Sequence, residues 1–245
     1  MKPFLLIQSR PETVASDNEY ESFLRFSGLD DIQLERFRIE SSPLPDIKLD
    51  NYSGIIVGGG PFNASTSHAQ KSEVQKRLET ELYSLLDTII ERDFPFLGAC
   101  YGVGLVVTHQ NGVVSQKYSE SVGPSEITLT EHGIADPLLV DLPENFVAFV
   151  GHKEACETLP ESATLLASSA PCPVQMFRVK QNVYVTQFHP ELDSHGLEVR
   201  INTYKNAGYF PPESAEELIA QGYAANVQEP VKILRNFVKR FAKTG

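Results

Sequence analysis

Cys100 stands in Phe94-Pro95-Phe96-Leu97-Gly98-Ala99-Cys100-Tyr101-Gly102-Val103-Gly104. An apolar, strand-like run ends there in Gly-x-Cys-x-Gly, and a helix-like run follows. This is the layout of a nucleophile elbow: small residues flanking the tip let the chain turn sharply and lift the central side chain out of the sheet. A thiol at that tip lies at the N-terminus of the next helix, where the dipole favours the thiolate, the nucleophilic form.

A base and an orienting carboxylate stand downstream. The run 183–188 is rich in β-formers and leads directly into His189-Pro190-Glu191. Residues two apart on an extended chain face the same side, so Glu191 can reach the imidazole of His189. Glu191 would fix the tautomer and stabilise the charged ring, and His189 would deprotonate Cys100. The set is a Cys-His-Glu triad. A third piece precedes both. The apolar strand 54–57 ends in Gly58-Gly59-Gly60-Pro61, a tight loop whose uncovered backbone N–H groups suit a developing oxyanion. They would also suit a phosphate, but no Gly-Lys-Ser/Thr follows, so the P-loop reading fails.

Together these pieces resemble the class I glutamine amidotransferase family, whose hallmarks are a glycine-rich loop ending in Gly-Pro, a Gly-x-Cys-x-Gly elbow and a late Phe-His-Pro-Glu. All three occur here in that order, and the resemblance covers roughly residues 1–192. It implies an oxyanion hole made by the N–H groups of Gly60 and Tyr101. It also implies a substrate pocket lined by Gly59, by position 104 and by His152, since the family often has a histidine beside an acidic residue at that point. The family elbow usually reads Cys-x-Gly-x-Gln, and the glutamine helps hold the substrate. Here the position is Gly104. A missing side chain would open room beside the nucleophile.

Composition bounds the rest. A chain of 245 residues with 41% hydrophobic content can fill the core of one α/β domain with a modest addition. The net charge of −11 and the absence of a lysine or arginine run argue against a nucleic-acid partner. The three cysteines, an odd number without a Cys-x-x-Cys pair, suit a reducing, cytoplasmic setting. Cys156 and Cys172 read as ordinary structural thiols. No apolar run approaches the roughly 20 residues a membrane span needs. No His-x-x-x-His pattern exists, so no metal is expected, and thiol chemistry needs no cofactor.

Strand-like runs at 4–8, 32–39, 54–57 and 94–99 alternate with helical runs at about 18–26 and 71–92. In the second, apolar residues recur by threes and fours. Alternation predicts crossover units and an α/β fold with a mainly parallel central sheet flanked by helices, as in the family. Ligands bind beyond the carboxyl ends of such strands, where Gly58–Pro61 and Cys100 both fall. After a helix at 103–110, short β-like runs at 125–130, 146–150, 164–168, 174–179 and 182–187 extend the sheet and return to place His189. The expectation is a single domain, 1–245, with a core to about 192 and a helical C-terminal extension over 193–245. Amphipathic helices are predicted at 195–206, 214–225 and 230–243. The second opens on Ser214 with Glu217 three later, a capping-box pattern. Such a tail resembles stand-alone family members related to the GMP synthetase glutaminase domain.

Three readings follow. One is a glutaminase that releases ammonia for a separate synthase chain. Another is a γ-glutamyl peptidase with a larger leaving amine, which Gly104 favours. The last is a catalytically silent binding protein, which the intact triad disfavours.

Overall fold

The computed structural model describes residues 1–244. Its first half runs β1 (Phe4–Gln8), α1 (Thr13–Ser27), β2 (Leu34–Arg38), β3 (Gly54–Val57), α2 (Glu73–Glu91), β4 (Phe96–Ala99) and α3 (Tyr101–His109). The second half adds β5 (Val113–Ser115), β6 (Glu120–Leu129), α4 (Glu131–Ile134), β7 (Asn145–His152), β8 (Ala155–Thr158), β9 (Ala163–Ser168), β10 (Met176–Val179) and β11 (Val183–Thr186). Three helices close the chain: α5 (Ser194–Tyr204), α6 (Ala215–Ala224) and α7 (Val231–Phe241).

The sheet has nine strands in the order β2-β1-β3-β4-β11-β10-β9-β6-β7. The five from β2 to β11 are mutually parallel, and four antiparallel strands extend one edge. Strand alternation divides the core. Leu5 and Ile7 of β1 pack with the apolar stripe of α2 and with α3 on one face. Phe4 and Leu6 pack with Phe23 of α1 and with Ile233, Leu234 and Phe237 of α7 on the other. The tail is therefore built into the fold. The Phe237 and Phe4 rings lie 5.8 Å apart, and α7 covers sheet surface that would otherwise be bare. Helix α5, with α6, encloses a smaller apolar cluster around Phe149, Leu192 and Leu197. Among the described residues, no helix is long and apolar enough to cross a membrane.

Several boundaries differ from expectation for identifiable reasons. Helix α1 begins at Thr13, not near 18. Its first turns lack an apolar period because Ser16 and Glu19 are buried as hydrogen-bonding groups instead. The capping box at Ser214 does not form. Ser214 ends a short 3-10 turn that starts at Pro212, sits in helical backbone, and makes no capping bond. The long helix is capped as such helices should be: the Ser72 side chain accepts from the N–H of Gln75.

Candidate active site

The carboxyl ends of β1, β3, β4 and β11 lie side by side, so the segments that follow them converge. Cys100 follows β4 and caps α3 with φ 50° and ψ −87°. Side chains rarely adopt a positive φ, and such strain persists only where surroundings enforce it. Here the Cys100 N–H donates to the Thr186 carbonyl of β11 at 2.8 Å, and the Cys100 carbonyl accepts from Val103 N–H at 2.9 Å. The thiol residue is half-buried and lines two cavities. Tyr101 is the first residue of α3, so its N–H has no acceptor within the helix.

The extended course expected from His189 to Glu191 is not found. β11 ends at Thr186, and the chain turns at 190–191. His189 is instead anchored to β7, its N–H donating to the Phe149 carbonyl at 2.9 Å. The turn brings Glu191 Oε1 to 2.8 Å from His189 Nδ1, and Cys100 lines the same cavity as the imidazole. Burial opposes the charged ring, but Glu191 and Cys100 outweigh it and raise His189 from 6.5 to about 9. Burial likewise disfavours the Glu191 carboxylate. His189 first, then Arg200, outweigh that and hold Glu191 below the usual carboxylate range. The three expected residues thus share one buried, charge-coupled site.

The glycine loop presses against this site. A Cβ on Gly59 would lie 2.7 Å from His189 Cε1 and 2.5 Å from Arg10 Nη2, so only glycine lets the loop approach the ring so closely. Gly60 lines both cavities beside Cys100.

Gly104 opens no room. A Cβ there would meet the Ala64 Cβ at 2.8 Å and Glu154 Oε1 at 3.1 Å. The space expected to be free is filled by the loop after Pro61 and by a buried carboxylate. Glu154 accepts from the N–H groups of Ala64 at 2.6 Å and Ser65 at 2.9 Å. With Gly104, His152 and Val103 it lines the second cavity, away from His189. His152 ends β7 with both ring nitrogens facing acceptors, the Glu154 carbonyl at 3.0 Å and Glu120 Oε2 at 2.9 Å.

Sequence reasoning missed a buried charge network beneath the triad. Glu19 of α1 is fully buried. Arg10 Nε donates to its Oε1 at 2.9 Å and Gln8 Nε2 to its Oε2 at 2.9 Å. Arg10 Nη1 also donates to the Tyr204 hydroxyl at 3.2 Å. Arg200 of α5 lies beyond, 3.6 Å from Glu19 Oε1 and 3.9 Å from Glu191 Oε1. Arg10 follows β1 at its carboxyl end, a position that carried a signal. Arg200 carried none.

The other two thiols are buried, and burial pushes each up to about 12, so both are protonated and inert. Cys172 falls near Glu120 and His152. That carboxylate already accepts from Gln175 at 2.6 Å as well as from His152, which suits a hydrogen-bonded core cluster.

Residues 21–202 match the family described as glutamine amidotransferase class-I. The chain belongs to that family. The match runs through the elbow and triad into α5. Among curated relatives of this chain, the glutamine-hydrolysing GMP synthase of Borrelia garinii subsp. bavariensis is 32% identical over 151 residues, 62% of this chain and 26% of that one. One subunit of the glutamine-hydrolysing GMP synthase from Pyrococcus abyssi is 29% identical over 171 residues, 69% of this chain and 82% of that one. The matched stretch is thus about a quarter of the first relative's length (26%) but most of the separate subunit's. Two solved structures share the fold across the chain. A glutamine amidotransferase from Thermotoga maritima superposes with a TM-score of 0.80 at 18% identity, covering 100% of both chains. A glutamine amidotransferase from Methylobacillus flagellatus gives 0.75 at 18% identity, covering 100% of this chain and 97% of that one.

Proposed function

We propose that this family member is a cysteine-dependent amidohydrolase acting on the γ-carboxamide of glutamine, with ammonia released to a separate synthase chain. The observation that carries the reading is the coupled site of Cys100, His189 and Glu191 at a strained elbow. The Cys100 sulfur attacks the amide carbon. The resulting oxyanion takes the N–H groups of Gly60 and Tyr101, an interaction of about 3 kcal/mol in comparable sites. His189 protonates the departing nitrogen as the C–N bond breaks, leaving a γ-glutamyl thioester. His189 then takes a proton from water, whose oxygen attacks the thioester, and Cys100 is restored with glutamate released. Glu191 keeps the ring oriented and its charged form stable throughout.

A second reading replaces ammonia with a larger amine, so that the substrate is a γ-glutamyl amide. It is favoured by the lining of the cavity on the His189 side of Cys100, where Arg10, Arg200 and Tyr204 stand beside the space a leaving amine would enter.

Incubation with glutamine, glutathione and γ-glutamyl dipeptides, followed by mass spectrometry of the released amines, separates the two. Ammonia from glutamine supports the first and an amino acid or dipeptide from the others supports the second. No turnover that depends on Cys100 with any of them would sink both.

A further inference from the structure

The cavity that Cys100 shares with His189 contains a cation without a hydrogen-bond partner. Arg200 is only 6% exposed, and none of its three guanidinium nitrogens has a hydrogen-bond partner. It lines the cavity together with Arg10, Cys100, His189, Tyr204 and Tyr209. Its nearest carboxylates stand at 3.6 and 3.9 Å and are committed elsewhere. Glu19 is taken by Arg10 and Gln8, and the near oxygen of Glu191 by His189. A buried guanidinium without acceptors is costly, and its fork of donors fits a carboxylate with two parallel bonds.

We propose that this cavity is a carboxylate-recognition subsite, in which Arg200, with Arg10 beside it, binds a carboxylate carried by the leaving amine. The inference rests on the second reading above, because ammonia carries no such group. Position supports it. His189 hands its proton to the departing nitrogen, so whatever that nitrogen bears extends into the cavity His189 lines. Gly104 and Glu154 line the opposite one. In a γ-glutamyl α-amino acid, the carboxylate is one carbon from that nitrogen, on the arginine side. Electrostatics agrees. Burial first, then the neighbouring Arg10 cation, depresses the Arg200 guanidinium, and a bound anion relieves both effects. The substrate class is therefore γ-glutamyl amides whose amine portion is itself an amino acid.

The test compares γ-glutamylglycine with γ-glutamylglycinamide, which differ only in that carboxylate. The wild-type protein is expected to favour the acid by about 10- to 100-fold in kcat/KM, the range for a charge-assisted, bidentate contact. In Arg200→Gln the ratio of the two substrates falls toward one, whatever happens to the absolute rates. Titration calorimetry on Cys100→Ala supplies an arm that needs no turnover, with the acid expected to bind at least tenfold tighter. A wild-type ratio near one, an unchanged ratio in folded Arg200→Gln, or equal or absent binding of the pair by Cys100→Ala overturns the subsite. Should Arg200→Gln fail to fold, the wild-type ratio and the Cys100→Ala titration decide. Should glutamine alone be hydrolysed, the second reading fails, and the Cys100→Ala titration still decides whether the cavity selects a carboxylate.

Discussion

The two sides of Cys100 share Gly60, Gly151 and Tyr209 but carry different charges. On the side of Gly104, the buried ionisable groups are His152 and the Glu154 carboxylate, the latter held by two backbone N–H groups from the loop after β3. On the side of His189, the buried groups are two guanidiniums, one after β1 and one on α5. The first side is closely filled: no Cβ can be added at Gly104 without displacing Ala64. The second has a cation with donors to spare. Cys100 itself belongs to neither side, being pinned between β4 and β11 by the parallel sheet. The contrast teaches that the sheet fixes the reaction centre, whereas loops and the added helix decide what each flank can hold.

The largest effect tests the centre that both sides share. Cys100→Ser should lower turnover of every substrate by at least about 10³-fold while leaving thermal unfolding unchanged, because a hydroxyl is far less ionised than a thiol. Near-full activity in that variant would move the chemistry elsewhere and make the comparison meaningless.

Glu191→Gln should lower turnover, though less than His189→Ala, because Glu191 orients and stabilises the ring without carrying the proton. The same variant tests the coupling directly. By NMR titration, His189 should fall from about 9 toward or below 6.5, since the opposing effect of burial remains. The sign for stability follows. His189 is raised on folding, so its contribution is complete below pH 6.5 and disappears as pH climbs through about 9. Glu191 is depressed, so its contribution is complete above pH 4.5 and disappears as pH falls toward its folded value. The gap in melting temperature between wild type and Glu191→Gln should therefore be widest between those limits, near pH 5 to 6. A gap that grows toward pH 9 would contradict the ion pair.

Gly104→Gln sharpens the view of the filled side. Overpacking against Ala64 and Glu154 should destabilise the fold by about 1–3 kcal/mol and weaken turnover of glutamine. A stable Gly104→Gln protein with a lower KM for glutamine would show that the space is free after all and restore Gly104 as an opening. Smallest of all, Cys156→Ser and Cys172→Ser should leave kcat/KM within about twofold, and iodoacetamide should label only Cys100 in the native protein. Burial keeps the other two thiols protonated at about 12. Fast labelling of either would place it outside the core.

The motifs of the candidate site were legible in the chain because each is a local turn. Gly-x-Cys-x-Gly after an apolar strand, three glycines and a proline after another, and Phe-His-Pro-Glu after a third each mark a strand's carboxyl end. Parallel pairing then had to bring them together. Even so, local reasoning erred on how Glu191 reaches His189. An extended chain and a tight turn both put the carboxylate within reach, and sequence does not separate them. Gly104 misled for a related reason. A missing side chain looks like empty space, but close packing hands that space to whichever neighbour folds against it. Here the neighbours are 40 and 50 positions away, Ala64 and Glu154.

By itself, then, the sequence determined the Cys100 elbow, the His189–Glu191 pair, the glycine loop and the alternation that yields the α/β sheet, each a property of residues within a few positions of one another. Tertiary structure alone decided the flanks. Arg200 sits on a tail helix whose sequence names no partner, and it enters the site only because α5 packs against Phe149 and Leu192 near the ends of the central strands. Glu19 lies on a polar helix turn and becomes a buried anion only because Gln8 and Arg10 meet it there. A charge's neighbours are set by the close approach of segments far apart in the chain, and no local propensity encodes that approach.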